Sequence, residues 1–430
     1  MPLSVSSVVT ATFAFSQVAL GLPSSSSPRF VPGSNTGSPI DIPPKAEYSW
    51  SVEQVQNTEF GLDGPTALAN IYTKFSVPIP DEMELSTTRH KKRGTFYSTL
   101  WDTLDNVFLI PVSIGVPRKS FNLIFDTARS GVWVFSKKVA DPQLQKAYIP
   151  DASTSSKQMK EYSWKMDDQN GQTSSGDVYN DIFSFDTSVR SMPSPHQAIQ
   201  VVDVAAGFPN LKYVSGVLGM AFTSRNPIQP QPQPSVFDNI KEKLDQQVFT
   251  VDMKHFAAGK VEFGRIDDDA YLGRIRYSSV LNKDGLWNFT IGGLVGDTIL
   301  GTAGIDYAIA DTASALLMLP IEDNIEYYHK VDGSRLSEKH GGFVFPCSSK
   351  MPNFDFKVGG ARLTIPGTYM KLSMFHDEPE LCFGGLQPSN KLGFNLIGSI
   401  VFKAAFVIFD PVNAKIGWAR KKLSGKGVDW

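Results

Sequence analysis

An aspartate followed by threonine leaves the end of an apolar run twice in this chain, in FDTARSGVWVF (Phe125 to Phe135) and in IADTASALLML (Ile309 to Leu319). A single Asp-Thr pair says little, because aspartate is an ordinary turn residue. Each copy, however, is followed at a similar remove by an apolar pair that meets a glycine. SGVLGMAF brings Gly219 after Asp126, and FNLIGSIVF brings Gly398 after Asp311. Each half therefore reads as an apolar strand, Asp-Thr, a second strand, several hairpins and an apolar-apolar-Gly. Two similar halves place the two Asp-Thr turns face to face across a pseudo-twofold axis.

The chain between these landmarks is strand-forming. From Gly94 onward, runs such as VFLIPVSI, FNLIFD, VWVFS, GDVYNDIFSF, AIQVVDVAA, IDYAIAD and VIFDP alternate with Gly, Asn, Asp and Pro turns. SVFDNIKEKLD and IEDNIEYYHKV are the helical candidates. With 29 Phe, 28 Pro and 35 Gly, short strands joined by many turns are expected, and the fold class is mostly β. A length of 430 residues suffices for one large or two medium domains. Lys and Arg number 41 against 43 Asp and Glu, a balance that argues against a nucleic-acid partner, which would call for a basic face.

Only two cysteines occur, Cys347 and Cys382. Their separation suits one disulfide closing a loop, and two buried thiols are the alternative. With six scattered histidines and no HExxH spacing, neither a metal nor a cofactor is expected. The one N-x-[ST] sequon, at Asn288, accepts a glycan only if its strand face is exposed; a buried asparagine is the alternative.

The first residues form an apolar stretch of signal-peptide length followed by small residues, which predicts a leader over 1–22; the stretch lacks a basic n-region, and a short buried strand is the alternative. A Ser/Pro/Gly-rich stretch follows, then the helix-compatible GPTALANIYTKFSVPIP and the basic TTRHKKR ending at Arg93. A basic cluster before glycine suits a kexin-type processing enzyme, so 23–93 reads as a removable pro-segment; a solvated basic loop is the alternative. No later segment is apolar enough to span a membrane. A secreted protein, or one of the secretory pathway or vacuole, is expected.

Two carboxylates facing each other in a partly dry cleft cannot both ionise cheaply, so the pair holds one proton between them. The ionised member activates a water, while the protonated one polarises a carbonyl and protonates a leaving group. That chemistry hydrolyses a peptide bond without a metal or a covalent intermediate.

The chain resembles the pepsin-type aspartic endopeptidases, and within them the secreted fungal branch. The resemblance runs almost from Gly94 to the C-terminus and rests on DTARSGVWV, ADTASALLMLP, SGVLGMAF, FDNIKEKLDQQVFTVDM, GGFVFPCSSKMPNFDFKVGG, LCFGGLQ and FVIFDPVNAKIGWA. It implies a bilobal fold with lobes at 94–265 and 266–430, a monomer, and a peptide or small-molecule substrate in the cleft between the lobes. By the same resemblance Asp126 and Asp311 form the catalytic pair, and Thr127 and Thr312 buttress it from beneath. Ser314 bonds the outer oxygen of Asp311, Lys74 pairs with the dyad in the zymogen, and Cys347–Cys382 is the C-terminal-lobe disulfide. WKMDDQNGQTSSGDVY, which contains Asp168, Gln169 and Gly171, is the flap hairpin; a lysine exposed on a helix is the alternative for Lys74.

The departures from the family pattern cluster at the chemistry. Ala128 and Ala313 replace glycines, and Arg129 replaces a serine that would orient the outer oxygen of Asp126. Asp168 stands where the flap tyrosine belongs and Gln169 where a glycine follows it; a small shift of the hairpin would bring Tyr162 nearer. A cation within about 4–6 Å lowers a carboxyl pKa by about 1–3 units. Arg129 therefore either disturbs the shared proton or turns away toward solvent or another acid, and an ion pair with Asp168 is one such arrangement. Three functions remain open: an endopeptidase with shifted pH range and specificity, an enzyme of fungal secondary metabolism using the acid pair on a small molecule (a cyclisation, for example), and an inactive peptide-binding pseudoprotease.

Overall fold

Both Asp-Thr turns emerge from the same local construction, built once in each half of the chain. In the first half, strand Lys119–Asp126 pairs in parallel with Gly216–Met220, Asp126 standing opposite Gly219. After the turn, Ser130–Phe135 runs back along the other side of Gly216–Met220, with Gly131 opposite the same Gly219. In the second half, Tyr307–Ala310 pairs in parallel with Asn395–Ile397, and Leu317–Leu319 pairs antiparallel to it. Each middle strand threads between the two arms of an Asp-Thr loop. A side chain at Gly219 would meet the Arg129 carbonyl at 2.6 Å, and one at Gly398 would meet the Leu316 carbonyl at 2.1 Å. The repeated glycine is thus explained by close approach of backbone to backbone.

The structure, a computed structural model, describes residues 48–57, 63–81, 83, 108–141, 145–167, 173–187, 195–204, 214–281, 283–291, 307–358, 360–375 and 377–423. The predicted leader, the basic site ending at Arg93, and Asp168, Gln169 and Gly171 lie outside these residues. All described residues belong to one compact unit. Among them no helix is long and apolar enough to cross a membrane.

The expected mostly-β, bilobal architecture is what the chain adopts. A nine-stranded sheet gathers the strands between Val55 and Gln229. Sheets of five, four and two strands serve the region from Asn288 to Ile397. A six-stranded sheet joins the halves, in the order Trp50–Glu53, Ala257–Phe263, Phe249–Lys254, Ala405–Asp410, Lys415–Arg420, Leu272–Ser279. The turn after residue 265, where the sequence suggested a lobe boundary, falls between two strands of this shared sheet. Its inner face carries Phe249 stacked on Phe409 at 4.7 Å between ring centroids, with Phe263, Trp287 and Trp418 fully buried nearby. Burying such rings contributes about 1.5–3 kcal/mol each, which ties the two Asp-Thr loops to one rigid base.

The helical candidates are both present but shorter than their apolar patterns. SVFDNIKEKLD yields an α-helix over Val236–Ile240, capped by the Ser235 hydroxyl, which accepts from the Asp238 N–H, and then a 3-10 turn over Lys241–Lys243. IEDNIEYYHKV gives Ile321–Tyr328. The strand Leu272–Ser279 was not foreseen; mostly exposed at the edge of the six-stranded sheet, it has no apolar run to announce it. Cys347 and Cys382 form a disulfide, their Cα atoms 5.0 Å apart. The glycosylation expectation at Asn288 is corrected: this residue is 2% exposed inside strand Asn288–Thr290, so a glycan there has no route to solvent in the folded chain.

The N-terminal helix Gly64–Lys74 positions the residue that matters most for the site. Asp63 caps it by accepting from the Thr66 N–H at 2.7 Å, and Pro65 occupies its first turn, where the missing N–H carries no penalty. Leu68, Ile71 and Tyr72 share an apolar cluster with Phe383, Leu372 and Leu316 of the second half. The Gly64 N–H donates to the Ser373 hydroxyl at 2.9 Å. The helix ends with Lys74, delivered to the mouth of the two Asp-Thr loops.

Candidate active site

The two Asp-Thr turns meet as a symmetric pair. The Thr127 hydroxyl donates to the Ala310 carbonyl at 2.8 Å and accepts from the Thr312 N–H at 3.1 Å. The Thr312 hydroxyl mirrors it, donating to the Phe125 carbonyl at 2.7 Å and accepting from the Thr127 N–H at 3.1 Å. All four bonds are buried, and each threonine satisfies backbone groups of the opposite half. A buried hydroxyl needs such partners; here the need also locks the two turns at one separation.

Above this lock stand the carboxylates. Asp126 is 2% exposed and Asp311 is fully buried. The Ala128 N–H donates to Asp126 Oδ1 at 2.8 Å, and the Ala313 N–H donates to Asp311 Oδ1 at 3.0 Å. The alanines that replace the expected glycines thus keep the backbone donors. The Lys74 ammonium bridges the inner oxygens, at 2.8 Å from Asp126 Oδ1 and 2.8 Å from Asp311 Oδ1, and also reaches the outer Asp311 Oδ2 at 2.9 Å.

The outer oxygens break the symmetry. The Ser314 hydroxyl donates to Asp311 Oδ2 at 2.6 Å. On the other side the corresponding place is taken by Arg129, whose Nε lies 3.6 Å from Asp126 Oδ2. The guanidinium therefore faces the dyad rather than turning away. Its Nη1 donates to Met166 Sδ at 2.7 Å, on the strand Lys157–Asp167 whose last residues open the predicted flap. Burial alone would raise the Asp126 carboxyl, but the Lys74 ammonium, the Arg129 guanidinium and the Ala128 N–H together outweigh it and hold it below the ordinary carboxylate range. Two cations, Lys74 and Arg129, thus face the pair of carboxylates.

Sequence reasoning missed a third cation. Arg225 Nε donates to the Ala128 carbonyl at 3.0 Å and its Nη1 to the Asp284 carbonyl at 3.3 Å. Burial depresses its proton affinity, and the nearby charge of Arg129 adds to this. Nothing in the local sequence marks Arg225, which follows the SGVLGMAF stretch on a short helical turn. Tyr162 is half-buried against the apolar cluster that contains Trp133 and Trp164. The structure thus brings together Asp126, Asp311, Thr127, Thr312, Ser314, Arg129 and Lys74.

A family model described as eukaryotic aspartyl protease matches residues 107–421. Among curated proteins, endothiapepsin of Cryphonectria parasitica is 37% identical over 399 residues, covering 90% of this chain and 94% of that protein. Aspergillopepsin-1 of Aspergillus fumigatus is 33% identical, with 83% and 87% covered. Penicillopepsin-1 of Penicillium rubens is 33% identical, with 88% and 94% covered.

Proposed function

The chain belongs to the eukaryotic aspartyl protease family, and from that premise we propose that it is a secreted endopeptidase, held latent by its own N-terminal segment, whose working pH is set by Arg129. The observation that carries this is the Lys74 ammonium held between both carboxylates, at 2.8 Å from each inner oxygen. An ammonium there occupies the space that a water and a scissile carbonyl would need. Residues 23–93 are then a pro-segment cut after Arg93, and 94–265 and 266–430 the two lobes of the active monomer.

Once Lys74 has left, the pair carries two carboxylates and one guanidinium in a buried site, and takes up a proton. The ionised carboxylate abstracts a proton from water as the water oxygen attacks the peptide carbonyl, and the protonated carboxyl gives its proton to the carbonyl oxygen. Collapse of the tetrahedral diol breaks the C–N bond, with the proton passing from the pair to the departing amine. Thr127 and Thr312 hold the carboxylates at a fixed separation through this cycle, and Ser314 orients Asp311.

Arg129 favours a second reading, a pair that performs acid–base chemistry on a small molecule, because a fixed cation near Asp126 Oδ2 opposes the shared proton that peptide cleavage requires. Assays of acidified, processed protein on denatured haemoglobin across pH separate the readings. Cleavage lost in Asp126→Asn and blocked by a statine-type inhibitor supports the peptidase. No cleavage at any pH, by wild type or by Arg129→Ser, rejects it in favour of small-molecule chemistry or peptide binding alone.

A further inference from the structure

A cavity of about 550 Å3 lies in the second half of the chain, apart from the dyad; none of the site residues lines it. Its size falls within the range of about 300–1,000 Å3 usual for small-molecule sites. Among the described residues that line it there is no aspartate or glutamate, but there are Lys350, Lys371, Arg420 and Lys421. They come from three separate segments: the loop after Cys347, the start of strand Lys371–Met374, and the end of strand Lys415–Arg420.

The four cations are not equivalent. Lys421 is buried and already answered: its ammonium donates to Asp252 Oδ1 at 2.8 Å and to the Phe402 carbonyl at 2.9 Å. Lys371 donates to the Cys347 carbonyl at 2.6 Å, a neutral acceptor, and pairs with no acid among the described residues. Lys350 and Arg420 are exposed and pair with no acid among the described residues. Three positive charges with no acid partner among the described residues therefore border one concavity, while Met351, Pro366 and Leu423 give it an apolar wall. Like charges gathered without an acid repel one another, and an anion in their midst relieves that repulsion.

We propose that this cavity is a binding site for a small organic anion. A phosphate or carboxylate head sits among Lys350, Lys371 and Arg420, and an apolar body lies against Met351, Pro366 and Leu423. Arginine presents a planar fork that suits either head group.

Calorimetric titration of the full chain with phenyl phosphate, benzoate, inorganic phosphate and benzyl alcohol tests this. One aryl anion, the phosphate or the carboxylate, is expected to bind saturably at one site, more tightly than either inorganic phosphate or the uncharged alcohol, and more weakly as salt is added. Lys350→Gln with Arg420→Gln is expected to weaken that binding by about tenfold or more. Ser348→Glu, which adds a carboxylate to the lining at an exposed position and leaves every cation in place, should do the same. Both variants should melt as the parent does without ligand. Absence of saturable binding by both aryl anions, equal binding of inorganic phosphate, or binding that neither variant weakens would overturn the assignment.

Discussion

Arg129 and Ser314 stand three residues after Asp126 and Asp311, and each approaches the outer oxygen of its own aspartate, at 3.6 Å and 2.6 Å. The two halves of the site are otherwise matched, bond for bond, through Thr127 and Thr312 and through the Ala128 and Ala313 N–H groups. A neutral hydroxyl donor on one side and a full positive charge on the other is therefore the main electrical asymmetry of the site. Its consequences follow from the direction in which a cation moves a carboxyl group.

Arg129 lowers the proton affinity of Asp126. The singly protonated pair then exists only at lower pH, and the alkaline limb of the activity profile is displaced toward acid. Arg129→Ser should move that limb upward by about 1–3 pH units and raise kcat at mildly acid pH. The pH dependence of kcat/KM on a peptide substrate reads this directly. An unmoved limb would mean that the guanidinium does not act on the reacting pair.

Lys74 is the largest of the charges that hold Asp126 below its ordinary range. Lys74→Met in the full chain leaves two buried carboxylates with Arg129 alone, and breaking such a pair costs about 3–5 kcal/mol. The variant should melt lower at neutral pH and bind a statine-type inhibitor without prior acidification. Retained latency would show that apolar docking of Gly64–Lys74, and not the ammonium, closes the site.

The lowered Asp126 carboxyl also sets a direction for stability against pH. A group with a depressed folded-state pKa contributes stability that is fully present above its unfolded value, about 3.9, and is lost as pH falls through the folded value. The full chain should therefore keep the Lys74–Asp126 contribution through mildly acid pH and lose it only in strong acid. Thermal melts between neutrality and strong acid, comparing parent with Lys74→Met, isolate this term; parallel curves would remove Lys74 as its source.

Thr312→Val takes away the acceptor of the Thr127 N–H and the donor to the Phe125 carbonyl. Each orphaned buried group costs about 1–3 kcal/mol. The urea midpoint should drop accordingly, and activity should fall further than stability explains, because the Asp126 turn loses its fixed position. Full activity in a folded Thr312→Val would show that the turn holds without the hydroxyl.

The Cys347–Cys382 bond closes a loop over a sequence separation of 35, and the backbone of Cys347 accepts from Lys371. Replacing both cysteines by alanine should cost about 2–4 kcal/mol. The loss should appear as a lower Tm that reductant no longer affects; a parent chain insensitive to reductant would show that the bond adds nothing measurable.

The sequence by itself determined the elements whose causes are local. Asp-Thr at a strand end, repeated, and a glycine at each strand crossing were legible because Gly219 and Gly398 sit where any side chain meets backbone, a demand that only glycine satisfies. The roles of the threonine pair and of Ser314 came from the resemblance to the pepsin-type family, whose motif these residues match in sequence. Tertiary structure decided what depends on partners distant in the chain. Arg225 reaches the Ala128 carbonyl from 97 residues further along the chain, and Gly64 finds Ser373 across a sequence separation of 309. Asn288 is hidden by strand pairing that its sequon cannot signal. Arg129 was visible as a charge, but a long flexible side chain has many rotamers, and it takes tertiary contacts, among them Met166 and the fixed Asp126 carboxylate, to turn it toward the dyad.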